Sequence, residues 1–71
     1  MKASEIRDLT TPEIEARLIE DQQLLQKMYF NHAISEIESP AKIRNMKRVI
    51  ARMRTILTER EAAAAKENQN Q

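Results

Sequence analysis

Cysteine, glycine and tryptophan are absent from this 71-residue chain, and Tyr29 and Phe30 are its only aromatic residues. Without cysteine there is no disulfide framework and no thiolate metal site to reinforce a small core. Without glycine there are no primed hairpin turns, no phosphate-cradling loop and no dinucleotide fingerprint. Histidine occurs once, which removes both a His pair for metal and a Ser/His/Asp arrangement for nucleophilic catalysis. His32 and Glu36 stand four residues apart, but two ligands make a poor metal site, and the pair reads better as helix-surface polarity. Helical enzymes with arginine-lined pockets need an enclosure that two helices do not supply. No catalytic residue, metal or cofactor is therefore expected. Long apolar runs are missing too: no segment is long enough to cross a bilayer, and the opening MKASEIRDLT lacks the apolar region of a secretory signal. A cytoplasmic protein without membrane insertion is expected.

One further absence is local. No Asp or Glu occurs between Ser39 and Thr58, whereas the same stretch carries Lys42, Arg44, Lys47, Arg48, Arg52 and Arg54. In SPAKIRNMKRVIARMRTIL the apolar residues Ile43, Met46, Ile50, Met53 and Leu57 recur at spacings of three and four, which makes one stripe of an α-helix. Ser39 suits the N-cap and Pro40 the first helical position. At 100° per residue, Arg44, Arg48 and Arg52 face away from the stripe, with Ala51 and Thr55 between them and Lys47 and Arg54 on one flank. A merely solvated helix mixes charge signs and gains from Glu/Lys pairs, whereas an unrelieved cationic face repels itself and favours a polyanion. An amphipathic membrane helix is the weaker reading, because the stripe lacks aromatic anchors and has the width needed to pack on another helix.

The formal net charge of +1 hides an asymmetry. Residues 1–38 hold four Lys or Arg against eight Asp or Glu, a balance of −4; residues 39–71 hold eight against three, a balance of +5. The basic half is the one expected to face nucleic acid. Few Asn, Gln or aromatic side chains accompany its cations, so phosphates and grooves of folded RNA suit it better than base edges.

The chain in order reads as all-α: a long antiparallel two-helix hairpin preceded by a short N-terminal helix. The short helix is expected over residues 2–9, anchored only by Ile6 and Leu9. Thr10 with Glu13 forms a T-x-x-E capping box, and Thr11 would instead put Pro12 at the first helical position; the box is preferred. The second helix is expected over 11–36, with Ile14, Leu18, Leu25, Met28 and Tyr29 in one sector and Asp21 at the seam's edge. The third is expected over 40–62. So short a connection makes the long helices antiparallel neighbours. Residues 1–60 form a single domain, and 66–71 should fray or be disordered. Phe30 and Ile34, with Ile19 earlier, lie opposite the seam. Two readings stay open: the helix rolls so that Phe30 or Ile37 joins the turn end of the core, or these side chains rest on a partner.

These residues resemble those of a known family. MKASEIRDLT, Glu13-Ile14 and above all Ser39 to Arg60 are similar to bacterial members of the ribosomal protein family numbered twenty-nine in the large subunit. The family's I-A-R followed by Thr stands here as Ile50-Ala51-Arg52 and Thr55. Ser35 stands where Gly is usual, which leaves the end of the second helix open. Lys47 stands where Arg is frequent, keeping charge but losing forked phosphate binding. The resemblance implies a structural role: a helical hairpin packed on large-subunit ribosomal RNA beside the mouth of the nascent-chain tunnel. Its implied neighbours are the large-subunit protein numbered twenty-three and the chaperones or targeting particles that dock there. It carries an RNA-contact role onto Arg44, Lys47, Arg48, Arg52 and Thr55, and Arg54 joins them by its place on the flank. Rival readings are a homo-oligomeric coiled-coil adaptor and a small basic DNA-binding helical protein.

Overall fold

The computed structural model describes residues 1–35 and 39–69, except for the side chains of 34–35 and 67–69. It contains three helices, α1 (Ala3–Arg7), α2 (Thr11–Ser35) and α3 (Pro40–Gln69), and no strand among the described residues. Arg60 of α3 meets Thr11 at the start of α2, and Lys47 meets Tyr29 nearer the turn. Numbers that rise along α3 thus fall along α2, and the two long helices are antiparallel. The result is a rod of 56 × 18 × 15 Å. Its radius of gyration is 15.3 Å, against roughly 11 Å for a compact chain of this length.

Both long helices start where the sequence says they should. The Thr10 hydroxyl accepts the Glu13 N–H (3.3 Å) and donates to Glu13 Oε1 (2.7 Å), while the Thr10 N–H donates to the same carboxylate oxygen (3.2 Å). Orphan donors of the first turn are thereby satisfied reciprocally, and Pro12 falls one place inside the helix. At α3 the Ser39 hydroxyl accepts the Ala41 N–H (3.2 Å) and the Ser39 carbonyl accepts the Ile43 N–H (3.2 Å). Helix α1 is shorter than expected, because the chain must turn after Asp8 to reach the Thr10 cap; Leu9 N–H closes that turn on the Ile6 carbonyl at 3.0 Å. The other end of α3 runs on. Instead of stopping near 62 and fraying from 66, it continues to Gln69. Ala62 to Ala65 and Lys66 are strong helix formers and nothing after them breaks the pattern. Asn70 and Gln71, the end of the expected tail, lie outside the described residues, as do Glu36, Ile37 and Glu38, the last positions at which the sequence lets α2 end.

The core sits where α1 and α2 dock on α3. Ile6, Ile14, Ile50, Met53 and Ile56 form its buried cluster, with Met1, Ala3, Leu9, Leu18, Leu25, Met46, Val49 and Leu57 packed around it. The buried face of α3 is wider than a single stripe and rolls towards Ile56 and Val49, because α1 covers that flank. Leu57 is correspondingly only half-buried. Asp21 is a further correction. Expected at the seam's edge, it is 4% exposed. The half-exposed Arg17, one turn earlier, spreads its Nε–H over both Asp21 oxygens at 3.2 and 3.3 Å, which supplies the charge partner that burial demands. Tyr29 is displaced from the seam to the flank, 43% exposed.

A chain of this size has about 4–10 kcal/mol of stability. Met53→Ala, at a fully buried site, is expected to cost about 2–5 kcal/mol and to shift the urea midpoint accordingly. Phe30 is 65% exposed, and Phe30→Ala should stay within about 0.5 kcal/mol; a large loss there would return Phe30 to the core. The cap makes a prediction in pH. The hydroxyl and backbone N–H of Thr10 hold the Glu13 carboxyl below its ordinary value of 4.5. A depressed folded pKa contributes stability above the ordinary value and loses it as pH falls through the lowered one. Thr10→Ala should therefore cost about 1 kcal/mol at neutral pH and flatten the acid limb of a melting-temperature profile. An unchanged acid limb would disconnect Glu13 from the cap.

Candidate nucleic-acid interface

Burying one side of α3 under α1 and α2 leaves its other side in water, and the cations divide by where that geometry puts them. Arg44 and Arg48 are exposed on the side away from the core, with Thr55 on the same face. The Thr55 hydroxyl donates to the Ala51 carbonyl at 2.9 Å, so it is turned back on its own helix. Lys42, two residues nearer the start of α3 than Arg44, is exposed as well, on another side of the helix. Among the described residues no carboxylate pairs with Lys42, Arg44, Lys47, Arg48, Arg52 or Arg54; the ion pairs present are Arg7–Glu59 (3.7 Å) and Arg17–Asp21. Arg44 and Arg48, and Arg48 and Arg52, are like-charge neighbours at i,i+4, each pair destabilising the helix by about 0.2–0.5 kcal/mol. No carboxylate among the described residues relieves that repulsion.

Lys47 and Arg54 are set apart from Arg44 and Arg48. They line a groove of about 490 Å³ between α3 and α2, opposite Gln22 and Gln26. The Lys47 ammonium lies 5.3 Å from the centre of the Tyr29 ring, a cation–π contact that holds it beside the groove.

Arg52 and Arg60 are turned to α1. Arg52 Nη1 donates to the Met1 carbonyl at 3.0 Å. Arg60 Nη2 donates to the carbonyls of Arg7 (3.2 Å) and Leu9 (2.9 Å), and its Nη1 to the Thr11 hydroxyl (3.0 Å). The last carbonyls of a helix that ends without glycine need outside donors, and Arg60 is that donor. Arg60 and the two glutamines were missed in the sequence. The signal for Arg60 was the absence of a glycine after α1; the glutamines had none, because they approach the basic helix only across the hairpin.

The outward side of α2 carries Phe30 (65% exposed) and Ile19 (57% exposed), with the polar Gln23, Gln26, Lys27 and Asn31 beside Phe30. Phe30 therefore does not join the core. Ile34 is a helical position whose side chain lies outside the described residues, and Ile37 lies outside them altogether. Among the described residues no three His, Cys, Asp or Glu side chains gather as metal ligands, and no helix is long and apolar enough to cross a membrane.

Comparison with known proteins matches this arrangement to one family. Residues 4–60 match the family described as Ribosomal L29 protein. The large ribosomal subunit protein uL29 of Staphylococcus aureus is 44% identical over 69 residues, 97% of this chain and 100% of the relative, and that of Staphylococcus carnosus is equally similar. The protein of the same name from Porphyromonas gingivalis is 43% identical over 61 residues, 86% of this chain and 95% of the relative. With a match that spans α1, α2 and the whole basic stretch of α3, the chain belongs to the ribosomal L29 protein family, a structural and non-enzymatic component of the ribosome.

Proposed function

We propose that this chain, as a structural constituent of the large ribosomal subunit, grips ribosomal RNA through the outward face of α3. The observation that carries the reading is the row of cations from Lys42 to Arg54 without a carboxylate partner among the described residues. Among the described residues no carboxylate offsets their mutual repulsion, and a phosphate backbone is the counter-charge of matching periodicity and sign. Arg44 and Arg48 are the phosphate ligands at the centre of the face. Lys47 and Arg54 extend it towards α2, and Arg52 extends it towards α1 while also holding the N-terminus. Thr55, turned to its own backbone, offers its oxygen as an acceptor only.

A place beside the nascent-chain exit, with the large-subunit protein numbered twenty-three as neighbour and chaperones or targeting factors docking nearby, is the finer part of the proposal. It rests on the family resemblance. The opposite side of the rod supports it in kind: the exposed Phe30, with Ile19 further back, makes a patch for a protein neighbour while α3 holds RNA; Ile34, whose side chain lies outside the described residues, belongs to that proposal by its place in the sequence alone. The protein then resides on cytoplasmic ribosomes.

Titrating purified large-subunit ribosomal RNA at several salt concentrations tests the interface. Arg44→Ala and Arg48→Ala are each expected to reduce the slope of log affinity against log salt by about 1. Arg52→Ala should do the same and also lower the melting temperature, since the Met1 carbonyl loses its donor. Unchanged slopes in all three variants would refute the assignment.

A further inference from the structure

We propose that the groove between α2 and α3 seats one unpaired nucleotide of RNA, so that this chain reads a base as well as a backbone. The inference rests on the RNA reading above. The groove, of about 490 Å³, falls within the roughly 300–1,000 Å³ of small-ligand clefts. Its floor is apolar, made by Leu25 and the buried Ile50, and Ala51 keeps it open because a larger side chain there would fill it. Lys47 and Arg54 stand on the α3 wall, and Gln22 and Gln26 face them from α2. Among the described residues no carboxylate lines it.

Each part answers one part of a nucleotide. A base pulled from its stack needs a low-polarity surface for its face, which the floor supplies. Its edge carries hydrogen-bond donors and acceptors side by side, and a primary amide presents one of each; glutamine amides are well matched to such edges. The flanking phosphates need cations, and Lys47 and Arg54, two helical turns apart, stand about 10 Å from one another along α3. Tyr29 holds the Lys47 ammonium at the end of the groove nearer the turn, which reduces what must be ordered on binding. The groove is also continuous with the outward face: Arg48 adjoins Lys47, so a strand gripped there passes the groove mouth. Cations without counter-charge favour a nucleotide over an apolar or basic protein side chain. Sequence-specific RNA recognition generally targets such splayed-out, single-stranded bases.

The test uses the full chain and purified, protein-free large-subunit ribosomal RNA, and reads affinity and salt slope together. Ala51→Leu fills the groove, and Gln22→Ala/Gln26→Ala removes the edge readers; neither removes a charge. Both are expected to weaken binding about tenfold with an unchanged salt slope and an unchanged melting temperature. If Ala51→Leu melts early, the glutamine pair decides. Wild-type affinity in the glutamine pair, alongside weakened Arg44→Ala and Arg48→Ala, would leave the RNA reading standing and overturn the groove. Absence of salt-dependent binding by the unaltered chain would overturn both. If the two variants bound naked RNA normally but failed to enter large-subunit particles, the occupant would be a protein group and the nucleotide assignment would be overturned.

Discussion

The rest of this structure depends on the burial of one face of α3. Ile50, Met53 and Ile56 receive α2 from one side and α1 from the other, and neither of those helices has an alternative surface of comparable apolarity to dock on. Each fully buried aliphatic side chain is worth about 1.5–3 kcal/mol, so the few at this junction account for most of what holds so short a chain together. A helix has only two sides to give. Fixing Ile50 and Met53 inward fixes Arg44 and Arg48 outward, and the same contacts that fold the chain therefore orient its cations. Arg60 reinforces the junction by donating to the Arg7 carbonyl at the end of α1 and to the Leu9 carbonyl just beyond it, and Arg52 does so at the Met1 carbonyl.

That economy has an electrostatic consequence. Repulsion among the outward cations opposes a fold with little stability to spare, and a bound polyanion reverses its sign. Anything that binds the folded chain and not the unfolded one raises its apparent stability with ligand concentration, so on the proposed RNA reading the helix that strains the free protein is the one its ligand stabilises. The long, thin shape is compatible with that proposal: a rod leaves the outward face of α3 open along its length while Phe30 and Ile19 are exposed on α2. The carboxylates of α2, Glu13, Glu15, Glu20 and Asp21, make no ion pair with the basic face among the described residues.

The three-helix plan, both capped starts and the outward Arg44 and Arg48 were legible because each rests on local chemistry: periodicity, a Ser or Thr before a helix, an unbroken run of one charge sign. What escaped depends on contacts across the hairpin or between α1 and α3. Ile56 is buried and Leu57 only half so because α1 covers the flank of α3 beside Ile56, a roll no single-helix projection contains. Asp21 sits inside rather than at the edge because Arg17 reaches forward to it, and a carboxylate at a seam position gives no sign of whether its neighbour will do so. The run-on of α3 past residue 62 was a matter of weight. Its alanines favour helix and its lack of apolar anchors favours fraying, and in the structure propensity prevails. For the interface, the flanking cations Lys47 and Arg54 were identified, but the groove they share with Gln22 and Gln26 belongs to the pairing of two helices.

The most direct test of the RNA-binding face is ultraviolet crosslinking of RNA to protein within large subunits isolated on a sucrose gradient, with the adducts located by mass spectrometry of this chain's peptides. The account predicts adducts on the peptides that carry Arg44 to Arg54. Adducts confined to α1 or α2, with α3 unmodified, would contradict it.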